Sequence, residues 1–146
     1  MKFSIVITTY NRLNLLRRAI DTALAQTIPC EVIVVDDCSS DGTQAYVQER
    51  CEALASAGES CLIYHRNSTN LGHAATVNAG VKLATGEWVK LVDDDDYLAL
   101  NCIEEMGKAI ALHPQAVICS SQAAQVDSNE VELSRTRQVG PGKAFY

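Results

Sequence analysis

Short runs of β-branched and other apolar residues alternate along this chain with longer segments in which apolar positions recur every three or four residues. Phe3-Ser4-Ile5-Val6-Ile7-Thr8 predicts a buried strand that stops at the polar Thr9-Tyr10-Asn11-Arg12. Beyond it Leu13, Leu16, Ile20, Ala23 and Leu24 fall at helical spacing, with Asn11 placed as the N-cap and Pro29 past the end. Glu31 to Val35 predicts a second strand running into the turn formers of Asp36 to Thr43. Tyr46, Val47, Cys51 and Leu54 then predict a helix over Thr43 to Ala57, closed by a left-handed Gly58. Cys61 to His65 reads as a third strand, and a loop from Arg66 to Gly72 leads into a helix over His73 to Leu83. Its Ala74, Val77 and Val81 are expected to pack on a sheet. Glu87 to Val92 reads as the fourth strand, Leu100 to Leu112 as a helix ending before Pro114, and Ala116 to Ser120 as a fifth strand.

Strands that alternate with helices of this length predict βαβ units, right-handed crossovers and an α/β fold with a mainly parallel sheet. Such a sheet binds its ligands outside the carboxyl ends of the strands. Three polar loops, Thr8 to Arg12, Asp36 to Ser39 and Asp93 to Asp96, are therefore expected to converge there. Asp127-Ser128-Asn129-Glu130 reads as a hairpin turn and Gly140-Pro141-Gly142 as part of an irregular tail. The organisation expected is one α/β domain over residues 1–120, followed by a hairpin and irregular tail over residues 121–146.

Composition narrows the chemistry. The 146 residues suffice for one domain with a real core, and the net charge of −6 comes with no basic stripe to follow a nucleic-acid backbone. A nucleic-acid partner is not expected, whereas a small phosphorylated ligand held through a cation is compatible with the acids. The six cysteines are scattered, show no zinc spacing and follow no secretory signal, so they read as buried or half-buried thiols of a cytoplasmic protein. No apolar run approaches the roughly 18 residues of a membrane span, and no membrane insertion is expected.

The fourth strand ends in four consecutive acids, Asp93 to Asp96. Their mutual repulsion is relieved in a solvated turn or by a divalent cation bound through oxygen. In extended chain Asp93 and Asp95 point the same way and reach one cation together, while Asp94 faces elsewhere. Asp96 is left to cap the next helix or to reach the site through water. A calcium loop fits poorly, because its sixth position is Leu98 rather than glycine. The chain has no P-loop, and its one Gly-x-Gly opens no helix after a strand. At the second strand, Asp36-Asp37 reads either as an acidic capping turn or as an acceptor for a nucleobase or ribose donor, and Asp41 as a cap. Tyr10 either packs on the sheet edge or stacks on a base.

Four stretches carry a resemblance: Ser4 to Arg12, Val34 to Thr43, Asn70-Leu71-Gly72 through Asn78-Ala79-Gly80, and Gly86-Glu87 through the four acids. In that order and spacing the chain resembles the family 2 glycosyltransferases of the GT-A, Rossmann-like fold, over most of Met1 to Ser120. The resemblance implies transfer of a sugar from a nucleotide-diphosphate donor, a UDP-sugar by preference, to an acceptor hydroxyl, with inversion and with Mn2+ or Mg2+. It implies nucleotide contacts at Thr8, Tyr10, Arg12, Asp37, Asn78 and Asp93, a base partner in Asp37, and metal binding at Asp95 with Asp93, the DXD motif. It makes residues 1–120 a nucleotide-sugar-binding domain and residues 121–146 the start of a missing acceptor-binding part, and the general base of such an enzyme follows the metal motif. Asp127 and Glu130 sit at a turn tip, a poor place for a positioned base, so it is expected beyond Tyr146, and the chain is read as truncated after the metal motif. The partners implied are a nucleotide-sugar and a glycan, lipid or other hydroxyl acceptor, with a homodimer left open. A catalytically silent sugar-nucleotide module and a nucleotidyltransferase are the alternatives. The second typically uses a glycine-rich basic loop, which Thr9-Tyr10-Asn11-Arg12 lacks.

Overall fold

The computed structural model describes residues 1–59 and 61–136. The elements run β1 (Phe3–Thr9), α1 (Leu13–Leu24), β2 (Glu31–Asp36), α2 (Thr43–Ser56), β3 (Leu62–Arg66), α3 (His73–Leu83), β4 (Trp88–Asp93), α4 (Cys102–Leu112), β5 (Ala124–Val126) and β6 (Glu132–Arg135). The first four strands form one parallel sheet in the order β3-β2-β1-β4, and β5 with β6 forms an antiparallel hairpin. The tail around Gly140-Pro141-Gly142 lies outside the described residues.

The order makes β1 the pivot. The chain winds outward from β1 through β2 to β3, then returns across the sheet to lay β4 on the other flank of β1. Right-handed crossovers in opposite directions put their helices on opposite faces, and the alternation of side chains along β1 and β2 records it. Ile5, Ile7, Val32 and Val34 join Leu16 and Ile20 of α1, Val47 of α2, and Ile103 and Ile110 of α4 in the larger core. Val6, Ile33 and Val35 face the other way, toward Ala79 of α3. All seven residues of β1 are buried, as expected of a strand with neighbours on both flanks and helices on both faces.

The sheet-facing side of α3 differs from the expectation. Thr76 and Gly80 are its buried positions, whereas Ala74 and Val81 are exposed and Val77 is half-buried. Gly80 sets this face: a Cβ built there would lie 2.3 Å from Val6 Cγ1 and 3.0 Å from Val35 Cγ2, so the helix sits closer than any side chain allows. The predicted fifth strand does not form. Ala116 closes a turn onto His113 after Pro114, and Val117 and Ile118 are 88% and 83% exposed. A β-branched run becomes a strand only against a paired edge, and a cavity of about 300 Å3 lined by Trp88, Val89, Val117 and Ile118 separates this run from β4. No described helix is long and apolar enough to cross a membrane.

Gly80→Ala is expected to destabilise the fold by about 1–3 kcal/mol through overpacking, despite alanine's better helix propensity. Urea denaturation checks it. In the double variant with Val6→Ala the loss should fall below the sum of the two single losses, because the second substitution makes room for the first.

Candidate functional site

The first two loops at the carboxyl edge are tied to each other. Asn11 takes a left-handed backbone (φ 54°), its N–H donates to Ser39 Oγ at 2.8 Å, and its Oδ1 accepts the Ser40 N–H at 2.7 Å. It therefore does not cap α1. That role passes to Asp41, whose Oδ2 accepts the Leu13 N–H at 2.9 Å while Oδ1 accepts the backbone N–H and hydroxyl of Thr43 at 3.2 and 2.7 Å. One carboxylate thus serves the N-termini of both α1 and α2, and these bonds outweigh its partial burial and hold its carboxyl below the usual range.

Asp36 and Asp37 divide the work at the end of β2. Asp36 is fully buried and structural: it accepts the Ser39 N–H at 2.8 Å and the Tyr64 hydroxyl at 2.7 Å, and Arg66 Nε lies 3.6 Å away. Burial first, then the bond to Asp36, pushes the Tyr64 hydroxyl well above its ordinary pKa. Asp37 organises the loop that follows β3. Its Oδ1 accepts from Asn67 Nδ2 and from the Leu71 N–H, each at 2.8 Å, and its Oδ2 accepts the Gly72 N–H at 2.8 Å. Burial pushes the Asp37 carboxyl up, but the bonds from Leu71, Asn67 and Gly72 prevail and hold it below the usual carboxylate range. Thr76, fully buried at the start of α3, accepts from Asn67 at 3.2 Å and donates to the Gly72 carbonyl at 2.9 Å, closing the loop onto the helix.

The acidic stretch is a turn, not extended chain. β4 ends at Asp93, and the Asp96 N–H returns to the Asp93 carbonyl at 3.1 Å. Asp94 faces inward: it is 5% exposed, with Thr9 Oγ1 donating to its Oδ2 at 2.8 Å and Arg12 Nη1 standing 3.2 Å from its Oδ1. Asp93, Asp95 and Asp96 are exposed. Asp95 is half-engaged, with its Oδ2 3.1 Å from the same Arg12 nitrogen. Asp96 does not cap α4, whose Ile103 N–H goes instead to Gln26 Oε1 at 3.0 Å. Partial burial of the carboxyl first, then repulsion from Asp95 and Asp93, pushes Asp96 up. Among the described residues no three metal-ligating side chains converge.

Of the residues expected to bind nucleotide, Thr8, Tyr10, Asp37 and Asp93 line one cavity of about 250 Å3. Thr9, Asn70, Gly72, His73 and Thr76 complete it. A second cavity of about 240 Å3 shares Thr8, His73 and Asp93 and reaches Asp96. Asp95 lies apart from both, on the wall of a cleft of about 850 Å3 between β4, α4 and the segment leading into β5. The turn thus sends Asp93 and Asp95 to different spaces, against the expectation from extended chain. Arg12 lines none of these and is engaged with Asp94 and Asp95. Asn78 is exposed on α3, past its first turn, and lines none of them either. The residues not singled out in advance are Asn67, His73 and Thr76. Only the cluster of turn formers from Asn67 to Asn70 hinted at Asn67, which is bonded to a carboxylate 30 residues earlier and ties Thr76 to it.

Comparison with known proteins meets this geometry from the other side. A family model described as glycosyl transferase family 2 matches residues 4–145. The uncharacterized glycosyltransferase YwdF of Bacillus subtilis (strain 168) is 36% identical over 127 residues, covering 82% of this chain and 44% of that protein. The poly(ribitol-phosphate) beta-N-acetylglucosaminyltransferase TarS of Staphylococcus aureus (strain Mu50 / ATCC 700699) is 30% identical over 144 residues, covering 97% of this chain and 24% of that one. Among solved structures, S. aureus TarS 1-349 in complex with UDP-GlcNAc matches with a TM-score of 0.67 at 30% identity, over 78% of this chain and 32% of that one. The mannosyltransferase PcManGT from Pyrobaculum calidifontis, in complex with GDP-Man and Mn2+, gives 0.68 at 28% identity, over 75% and 32%. The chain spans less than half the length of each of these relatives. With a parallel sheet of the GT-A type, polar loops gathered at its carboxyl edge and a family match over nearly all its residues, this chain belongs to the family 2 glycosyltransferases.

Proposed function

We propose that the chain binds a nucleotide-diphosphate sugar, a UDP-sugar by preference, for metal-dependent, inverting transfer to an acceptor hydroxyl of a glycan, a lipid or another molecule. The observation that carries this reading is the state of Asp37. A carboxylate offers about four lone-pair sites. Asn67 and Leu71 occupy two on Oδ1 and Gly72 one on Oδ2, and the single proton of the neighbouring Thr76 hydroxyl goes to the Gly72 carbonyl, which leaves one site on Oδ2. One open acceptor matches a single imide N–H, as uracil presents, better than the paired N–H donors of guanine. Tyr10, 47% exposed beside it, offers a ring face for the base. TarS solved with UDP-GlcNAc and with UDP supports the uridine reading, and PcManGT solved with GDP-Man and Mn2+ supports a divalent metal.

The residues fit a hard divalent cation. Asp93, Asp95 and Asp96 offer only carboxylate oxygens, and among the described residues only Asp95 of the three has an ion-pair partner, Arg12. With no three-ligand cluster among the described residues, they suit an ion that takes one or two carboxylates and fills its shell with phosphate and water. Asp95 would hold Mn2+ or Mg2+ beside Asp96, which lines both the cleft of Asp95 and the cavity it shares with Asp93, and Asp93 would stand near the ribose or the ion's waters. When bound, such an ion stabilises the charge that develops on the diphosphate leaving group as the glycosidic bond breaks. Asp37 and Tyr10 hold the base, and Thr8 and Asp93 bound the cavity next to it.

A donor-binding module without transfer is the second reading, and the hairpin favours it. Asp127 Oδ1 accepts the N–H groups of Asn129 and Val131 at 2.8 and 2.9 Å, and Glu130 pairs with Arg18 at 2.9 Å, so both acids have roles in holding the hairpin. The general base of the full reaction is assigned outside the described residues. Six free thiols among the described residues fit a reducing cytoplasm.

Calorimetry with UDP in the presence of Mn2+ should show binding that Asp37→Ala weakens about 10- to 100-fold, the range for a lost charge-assisted hydrogen bond. GDP should bind the wild type more weakly than UDP. No UDP binding with Mn2+ present would sink the assignment, and metal-dependent binding without donor hydrolysis or transfer would favour the module reading.

A pH dependence follows from the depressed Asp37 carboxyl. Its contribution to stability is complete above the unfolded carboxyl's pKa of about 3.9 and is lost as pH falls through the lower folded value. The gap in urea midpoint between wild type and Asp37→Asn should stay constant from about pH 7 to pH 5 and narrow as pH falls below about 4.

A further inference from the structure

Arg12 is expected from sequence to touch the nucleotide, yet its guanidinium is committed elsewhere. A single nitrogen, Nη1, lies 3.2 Å from Asp94 Oδ1 and 3.1 Å from Asp95 Oδ2. The two partners are unequal. Asp94 is fixed, with its side chain 6% exposed and its other oxygen bonded to Thr9, whereas the Asp95 side chain is 53% exposed and Arg12 is its one ion-pair partner among the described residues. Among those residues, every ion pair made by the four acids of the turn is made with Arg12.

A divalent cation that takes Asp95 Oδ2 would stand within a few ångströms of this guanidinium, and two positive charges at that range repel. The cation must therefore displace Arg12 from Asp95, while Asp94 can keep the arginine from leaving the loop. A nucleotide diphosphate changes the balance, because its negative charge offsets the repulsion and supplies further oxygen ligands.

We infer that Arg12 is a built-in competitor for the cation at Asp95, which makes metal binding conditional on the nucleotide. It acts through Asp95, so it is a positioning residue rather than a catalytic one. The inference rests on the reading of Asp95 as a metal ligand.

The test is Mn2+ binding, measured by electron paramagnetic resonance of the free ion, with and without UDP, on wild type and Arg12→Gln. Without UDP the variant should bind Mn2+ about five- to tenfold more tightly, from the loss of a competing ion pair and of a nearby positive charge. The factor by which UDP tightens Mn2+ binding should shrink correspondingly. In the Asp95→Asn background, Arg12→Gln should lose most of this effect. A merely structural Arg12 predicts the opposite sign, and equal or weaker Mn2+ binding by Arg12→Gln without UDP overturns the inference. If neither protein binds Mn2+ even with UDP, the Asp95 reading falls first and the inference with it.

A measurement on the wild type removes dependence on the variant's folding. The side-chain N–H resonances of Arg12 should shift on adding Mg2+ together with UDP and much less with UDP alone. Resonances unmoved by Mg2+ with UDP, where calorimetry shows that both bind, overturn the competition while leaving the metal site standing.

Discussion

The parallel pairing of β1 with a strand on either flank is the constraint on which the rest depends. A strand bonded on both edges and covered on both faces has no exposed backbone, so its seven residues are buried and polar chemistry begins only where it ends. Because β2 and β4 run alongside it in the same direction, their ends come out at the same edge. Thr8 pairs with Val35 on one side and Asp93 on the other, and Thr9 pairs with Asp36. The convergence of three polar loops is thus a property of register before it is a property of any side chain.

What the acids do once gathered is set by which are turned inward. Asp36 and Asp94, both buried, hold neighbouring loops, to Tyr64 and Ser39 in one case and to Thr9 and Arg12 in the other. Asp37, also buried, fixes the loop after β3 while keeping acceptor capacity in reserve. Asp93, Asp95 and Asp96 remain at the surface, and among the described residues only Asp95 of the three makes an ion pair. The same residue type therefore serves as scaffold and as candidate ligand in adjacent positions, and burial separates the two uses.

The alternating pattern made the parallel sheet and its helices legible, because strand and helix periods are local and each buried run announces itself. His73 to Leu83 matches the observed helix at both ends. The sheet-facing side of that helix was not legible. Gly80 contributes no hydrophobicity to a pattern, and its role comes from how closely two backbones approach. Ala116 to Ser120 misled for the converse reason, since β-branched composition says nothing about whether an edge is available. At the site, Asp37 and Asp93 could be placed by their position after strands. The inward turn of Asp94, the arginine shared with Asp95 and the separate spaces reached by Asp93 and Asp95 depend on a turn that a run of four identical residues does not encode.

The carboxylate of Asp41, shared between the first turns of α1 and α2, has a further consequence when combined with Asn11's bonds to Ser39 and Ser40. Two loops that would each be ordered separately by an incoming ligand are here welded into one body. Much of the conformational entropy of that part of the pocket is therefore surrendered on folding rather than on binding. A ligand meeting it spends little of its interaction energy on arranging that wall, and more is left for discriminating among ligands.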